Sequence, residues 1–231
     1  IIAIFLVFRI CQHVFKDDRV ALAAAYSMAL NPWANHISRQ GLLESEALTL
    51  VLAGIVFFFE GAKKPLLYVL SGCMFALSLF AYDAPRLFLP LFIIVLVWFR
   101  WSDVKRALPH VAIGGSIFAL FFGLFLFQLL FRGEVNEYTR SGIFSSPSVV
   151  DAVIRGRTLT DAPPWASSLV HNKVTEGIKT ALTHYVSIFS LNWFYVNGYG
   201  NLQEAVGNHG QYYLFELPLF FWVGIICSGN R

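Results

Sequence analysis

The sequence predicts an all-α polytopic membrane protein: a transmembrane helix bundle with a large segment of short interfacial helices on one side. Three observations carry the prediction. Of 231 residues, 57% are hydrophobic and only 13% are charged, whereas a soluble domain carries about 45–50% apolar and about 25% charged residues. The apolar residues come in long blocks, many of them close to the roughly 20 residues that cross a hydrocarbon core. The short loops between the blocks alternate in charge, as the positive-inside rule requires of a chain that crosses repeatedly.

Composition also excludes much. A mean hydropathy of +0.61, with 23 Phe, 9 Tyr and 6 Trp, is more apolar surface than a soluble particle of this size can bury. A soluble enzyme, a disordered chain and a disulfide-rich module are ruled out. The blocks do not alternate with period two, which argues against an outer-membrane barrel. A net charge of +3 calls for no nucleic-acid partner. Cys11, Cys73 and Cys227 lie far apart in apolar runs, so no disulfide or zinc site is expected.

The elements follow in order. Ile1–Phe15 is a short apolar run interrupted by Arg9, as a truncated span would be. Val20–Ser38 has no formal charge and reads as one span. Leu42–Phe59 is apolar apart from Glu44 and Glu46 at its start. Pro65–Tyr82 is uncharged. Leu87–Phe99 is short, but Arg86 and Arg100 can snorkel from its ends. Ala107–Phe131 is long enough to span with tilt, and Leu217–Cys227 begins a last span. The expected organisation is a bundle over 1–132 with about six spans, an extracytoplasmic segment over 133–211, and a further helix beginning in 212–231. The chain opens and closes beside apolar runs, so it reads as a piece of a longer membrane protein.

One set of short loops holds Lys16, Arg19, Lys63, Lys64, Arg100, Lys105 and Arg106; the other, 35–45 and 82–86, holds only Arg39 and Arg86. The first set belongs to the cytoplasm and the second to the outer face of the plasma (inner) membrane. The long stretch from Arg132 to about Gln211 then also faces outward. Within it Pro147–Arg157 reads as a short helix. From Pro163-Pro164 a second begins, with Trp165, Leu169, Val174, Ile178, Leu182, Tyr185 and Phe189 at helical spacing. Such an apolar stripe suits a helix lying along the interface.

Polar groups near lipid are expensive and tend to be functional. His36 and Arg39 end one span, Glu44 and Glu46 begin the next, and Tyr82 and Arg86 flank the following outward turn. Lys173 and His209 lie in the long outward segment. Together they can hold an anionic group and a carboxylate near one spot. Each has a plainer reading: Arg39 and Arg86 as interfacial anchors, Glu44 and Glu46 as a solvated helix start favoured by the helix dipole, His209 as a loop histidine, Lys173 as a solvated face. Asp17-Asp18 falls in a cytoplasmic turn and reads as an ordinary charged turn.

The ordered run Asn31-Pro-Trp-x3-Ile-Ser-Arg39, Glu44, Lys63-Lys64-Pro65, Tyr82-x3-Arg86-Leu-Phe-x-Pro90, Ser141-Gly-Ile-Phe-Ser145, His171-Asn-Lys173, His184-Tyr-x3-Phe-Ser190, Asn197-Gly-Tyr-Gly200, His209-Gly-Gln-x-Tyr213 and Glu216-Leu-Pro218 resembles bacterial polyprenol-phosphate-sugar glycosyltransferases. These belong to the GT-C superfamily, related to protein O-mannosyltransferases and aminoarabinose transferases. The resemblance implies a GT-C-type bundle that moves a sugar from a polyprenyl phosphate to a hydroxyl of a protein, lipid or glycan on the outer face, with inversion. It implies a carboxylate general base in a first outward loop, which would lie upstream of Ile1. It places Glu44, or Glu46 one turn position away, at the family's second acidic position. Arg39, Tyr82, Arg86, His36, Lys173 and His209 become donor contacts. Some members add a divalent metal, whose ligands this sequence does not identify.

Two rivals predict different sequences. A flippase or transporter of lipid-linked glycans would line a mid-span path with charges, and here only Arg9 breaks a run. A non-catalytic membrane subunit has no need of Arg, Glu, Tyr and His ordered on one face. Membrane-impermeant cysteine labelling applied from outside should reach a probe at Ser146 and miss one at Ala62; the reverse pattern would overturn the topology.

Overall fold

Asn31-Pro32 sets the course of the chain at one end of the molecule. Pro32 has no N–H, its ring crowds the carbonyl four residues back, and it disfavours helical backbone at the residue before it; Asn31 stands at φ −54°, ψ 115°, outside the helical region, and the helix arriving from Asp18 ends there. In the computed structural model, which describes residues 1–131, 146–159, 163–196, 210–218, 221, 222 and 224, the stretch expected as one span from Val20 to Ser38 is therefore two helices. They are α2 (Asp18–Leu30) and α3 (Pro32–Gln40). Asn31 ends the first and caps the second, its side-chain oxygen accepting the Ala34 N–H at 2.7 Å, with proline in the favoured first helical position. Gly41, at φ 66°, ends α3 in the left-handed region that glycine adopts without strain. The chain then turns 114° into α4 (Leu43–Glu60).

All described secondary structure is helical. Before α2 comes α1 (Ile2–Phe15); after α4 come α5 (Leu66–Ala81), α6 (Asp83–Phe99), α7 (Trp101–Arg106) and α8 (Leu108–Phe131). Helix α7 occupies what the sequence suggested was a turn. Helix α6 begins four residues before the expected Leu87, so Arg86 lies within its first turn. At the junction of α1 and α2, Asp17 caps α2 by accepting the Arg19 N–H, and Asp18 accepts from Gln12. Both aspartates are thus used in the turn. Of these helices, α8, with 24 residues, is long and apolar enough to cross a membrane; the bent pair α3 and α4 passes the same test together.

The bundle is held by close backbone approach. A Cβ on Gly72 of α5 would stand 2.2 Å from the Gly114 oxygen of α8, and one on Gly114 would stand 2.4 Å from the Tyr68 oxygen. Small residues at such crossings let helices pack without a large hydrophobic driving force. Between α4 and α5, the Ser71 hydroxyl donates to the Gly54 carbonyl at 2.7 Å. Phe58, Tyr68, Phe75, Leu79, Leu89 and Phe118 form the buried core around these contacts.

The three basic turns gather at one end. Arg9 of α1 pairs with Glu60 at the end of α4, His13 stacks on Phe59 at 5.7 Å, and the Arg100 guanidinium lies over the same Phe59 ring at 5.5 Å. Arg9 is therefore paired within the bundle. At the other end lie Asn31, Tyr82 and the last turns of α8, where Phe80 meets Phe121 at 5.7 Å.

Beyond α8, the described parts of the long segment are helices Pro147–Leu159, Pro164–Val170, Lys173–Ile188 and Leu191–Tyr195, followed by a 3₁₀ turn at Leu214–Glu216. The expected single helix from Pro163 onward breaks because Asn172 caps a new start, its oxygen accepting the Val174 and Thr175 N–H groups, each at 2.9 Å. Glu176 and Gly177 are buried, and Glu176 accepts from His171 Nδ1 at 2.8 Å. All seven residues of the apolar stripe, Trp165 through Phe189, are exposed. The expected last span from Leu217 to Cys227 falls largely outside the described residues.

Gly72→Val should force α5 and α8 apart and cost about 1–3 kcal/mol, the usual range for overpacking. Gly115→Val, where a Cβ meets nothing within 4 Å, should leave the melting temperature in lipid nanodiscs near wild type. Equal melting temperatures for the two variants would contradict this crossing.

Candidate functional site

Helix α3 is the wall on which the polar end is built. Its nine residues present two polar faces. Trp33, Ala34 and Ser38 line a cavity of about 420 Å³ that also receives Glu44, Glu46 and Ile4. His36, Arg39 and Asn35 line a second hollow of about 400 Å³, closed by Tyr213, and Asn35 lines the first cavity as well. A third cavity, of about 540 Å³, lies between α3 and the segment after α8 and is lined by Asn31, Tyr82, Trp193, Phe194, Gln211 and Tyr212, among others. It shares Met28, Trp33, Ala34 and Leu48 with the carboxylate cavity, so the two adjoin across the Trp33 side chain.

The segment after α8 is pinned here by a contact between residues 189 apart in the chain. The Ser27 hydroxyl of α2 donates to the Glu216 carboxylate at 2.5 Å, and the Tyr213 N–H donates to its other oxygen at 3.2 Å. Glu216 is wholly buried, so both bonds replace water that it lost. Tyr212 N–H donates to the Phe194 carbonyl at 2.8 Å, tying 210–213 to Trp193–Tyr195. Burial pushes the Tyr212 phenol up, and the Glu216 charge adds to the shift. Tyr195 is raised in the same way, with Tyr212 a further contributor. Both phenols stay protonated at neutral pH.

The structure sorts the residues singled out from sequence. Glu44 and Glu46 both face the 420 Å³ cavity from the first turn of α4; Glu44 is half-buried and Glu46 exposed. Tyr82 lines the adjoining cavity. Arg39 and His36 share the 400 Å³ hollow; His36 bonds to Gln40 at 2.9 Å, and no described residue pairs with Arg39. Arg86 is engaged differently. Its Nε donates to the Leu79 carbonyl at 2.7 Å, it pairs with Asp83, and its guanidinium lies over Phe125 at 4.7 Å. It fastens the α5–α6 turn to α8. Lys173 is exposed at the first turn of its helix. His209 lies outside the described residues, as do the motifs at 141–145 and 197–200.

Sequence reasoning missed Trp33, Trp193, Gln211 and Ser27 as site residues, and read Glu216 only as part of a motif. The signal for Glu216 was a carboxylate placed among apolar residues just before Leu217; its partner in α2 was not legible. Among the described residues, no three His, Cys, Asp or Glu side chains come together to hold a metal ion. No family model, curated protein or solved structure matches the chain.

Ser27→Ala should leave the buried Glu216 with one donor fewer and cost about 1–3 kcal/mol. Limited proteolysis in nanodiscs should then cut between 210 and 218 faster than in wild type. Unchanged cleavage would mean that this bond does not hold the segment.

Proposed function

We propose that the chain is part of a polytopic membrane glycosyltransferase that takes a sugar from a polyprenyl phosphate and passes it to a hydroxyl acceptor at the outer face of the membrane. One observation carries the reading: at the end of the bundle opposite the basic turns, carboxylates, an unpaired arginine and aromatic side chains line three neighbouring hollows around one short helix. The ordered resemblance to GT-C transferases supports it.

The membrane part of the proposal rests on exposed apolar surface. Helix α6 shows Leu87, Leu91, Ile94 and Trp98 to its surroundings, and α8 shows Ile113, Leu120, Leu124 and Phe127. Apolar faces of this extent need lipid or protein cover. The exposed stripe from Trp165 to Phe189 suits a helix lying in the headgroup region.

In the proposed reaction the acceptor oxygen attacks the anomeric carbon from the face opposite the phosphate. The bond from that carbon to the phosphate oxygen breaks, and polyprenyl phosphate leaves with the electron pair. The acceptor proton passes to a carboxylate, for which Glu44 is the candidate in this chain beside any base supplied upstream of Ile1. Arg39, which lines one hollow with His36 and Tyr213, binds the phosphate in this reading as its charge grows. Arg86, bound to Asp83, Leu79 and Phe125, acts through structure.

Transfer from synthetic polyprenyl-phosphate sugars by the intact protein in nanodiscs tests the reading. Arg39→Ala should lower turnover about 100- to 1000-fold, as loss of one charge-stabilising donor does. Glu44→Gln should lower it by about 100-fold or more. Arg86→Ala should lower the melting temperature more than it lowers turnover. Absence of transfer from any such donor would remove the proposal, and a large rate loss for Arg86→Ala with normal stability would move the phosphate contact there.

A further inference from the structure

The 540 Å³ cavity combines two features. The first is buried amide chemistry without protein partners. Gln211 is 8% exposed and Asn31 is 6% exposed. No described residue hydrogen-bonds to the Gln211 side chain, and the Asn31 amide uses its oxygen for the Ala34 N–H while its NH₂ group has no described acceptor. Both residues line the cavity, and together they offer it four N–H donors and a carbonyl. The second feature is aromatic surface. Trp33 lies on one side; on the other Trp193 packs edge-on to Phe194 at 5.2 Å, and Phe194 meets Tyr212 at 5.9 Å.

We propose that this cavity is a saccharide chamber for an uncharged hexopyranose ring, with Trp193 or Trp33 against its C–H face and Gln211 and Asn31 bonding its hydroxyls. A pyranose presents an apolar face and a rim of hydroxyls to the same pocket, and the negative face of an aromatic ring attracts the polarised C–H groups. The volume lies within the range of small-molecule sites. No described lining residue is charged, so nothing there compensates a buried carboxylate or ammonium group on the sugar. The carboxylates and Arg39 face the adjoining hollows instead. The proposal deepens the transferase reading and rests on it for the expectation that sugars reach this site. The ring can belong to the lipid-linked donor or to a glycan acceptor.

The test uses the intact protein in phosphatidylcholine nanodiscs and NMR titration with methyl mannoside, methyl glucoside, methyl glucuronide and methyl glucosaminide. At least one neutral hexoside should bind more tightly than either charged one. Gln211→Met and Trp193→Leu should each weaken it by about tenfold. Gln211→Met keeps the side-chain length, and melting temperatures near wild type would show that both variants fold. If Trp193→Leu does not fold, Trp193→Phe should weaken binding by a smaller factor. Preference for a charged sugar, equal binding by folded variants, or no saccharide binding would each overturn the proposal. Competition by a polyprenyl-phosphate hexose would identify the donor ring, and simultaneous binding the acceptor ring; either supports the chamber. Hexoside binding without transfer from any donor would remove the transferase reading and leave the chamber. Transfer that is indifferent to both variants would do the opposite.

Discussion

The polar end of this protein depends on a backbone constraint at one residue. Because Pro32 cannot continue the helix that reaches it, α3 leaves the axis of α2 and meets α4 at 114°. A nine-residue helix set across the bundle end shows one side to Glu44 and the other to the hollow holding Arg39. Had 20–38 been one straight span, Trp33, His36 and Arg39 would have lain on a single rod pointing away from the bundle, with no wall between separate cavities. Asn31 makes the break cheap by serving both helices, and Gly41 supplies the left-handed exit.

The second dependence is the join between the bundle and the segment that follows it. A wholly buried carboxyl is costly unless its oxygens find donors. Glu216 finds Ser27 and the Tyr213 backbone, so folding α2 and seating 210–218 are coupled events. That coupling brings Gln211 and Tyr212 against Trp33 and completes the largest of the three hollows. Elsewhere the bundle uses van der Waals contact, with glycines of α5 and α8 meeting backbone to backbone, a close approach that small residues allow at helix crossings.

Much of the fold was legible because apolar runs and helix length are local properties. The apolar runs from Leu42, Pro65 and Ala107 appear within a residue or two as helices α4, α5 and α8, of which α8 alone is by itself long and apolar enough to cross a membrane. The break at Asn31-Pro32 was readable from Pro32 itself, yet the uncharged run on both sides masked it. The break at Asn172 was a capping signal hidden by an apolar stripe that continues in phase across it. Less of the site was legible. Glu44, Glu46, Tyr82, Arg39 and His36 do line neighbouring hollows, since span ends on one face of a bundle are close in space. Whether a given arginine is free or fastened depends on partners in other helices. Arg86 is held by Leu79, Asp83 and Phe125, and of these only Asp83, at i−3, is visible locally.

The central claim is that sugar transfer takes place at the end of the bundle opposite the basic turns, on the outer side of the membrane. Proteoliposomes of fixed protein orientation measure this directly. A short-chain polyprenyl-phosphate sugar, soluble enough to be added to one aqueous side and unable to cross, is supplied either to the face carrying the basic turns or to the opposite face. Glycosylated acceptor is then counted. The account predicts product only when donor and acceptor are both on the face opposite the basic turns; product formed on the basic face, or on neither, would contradict it.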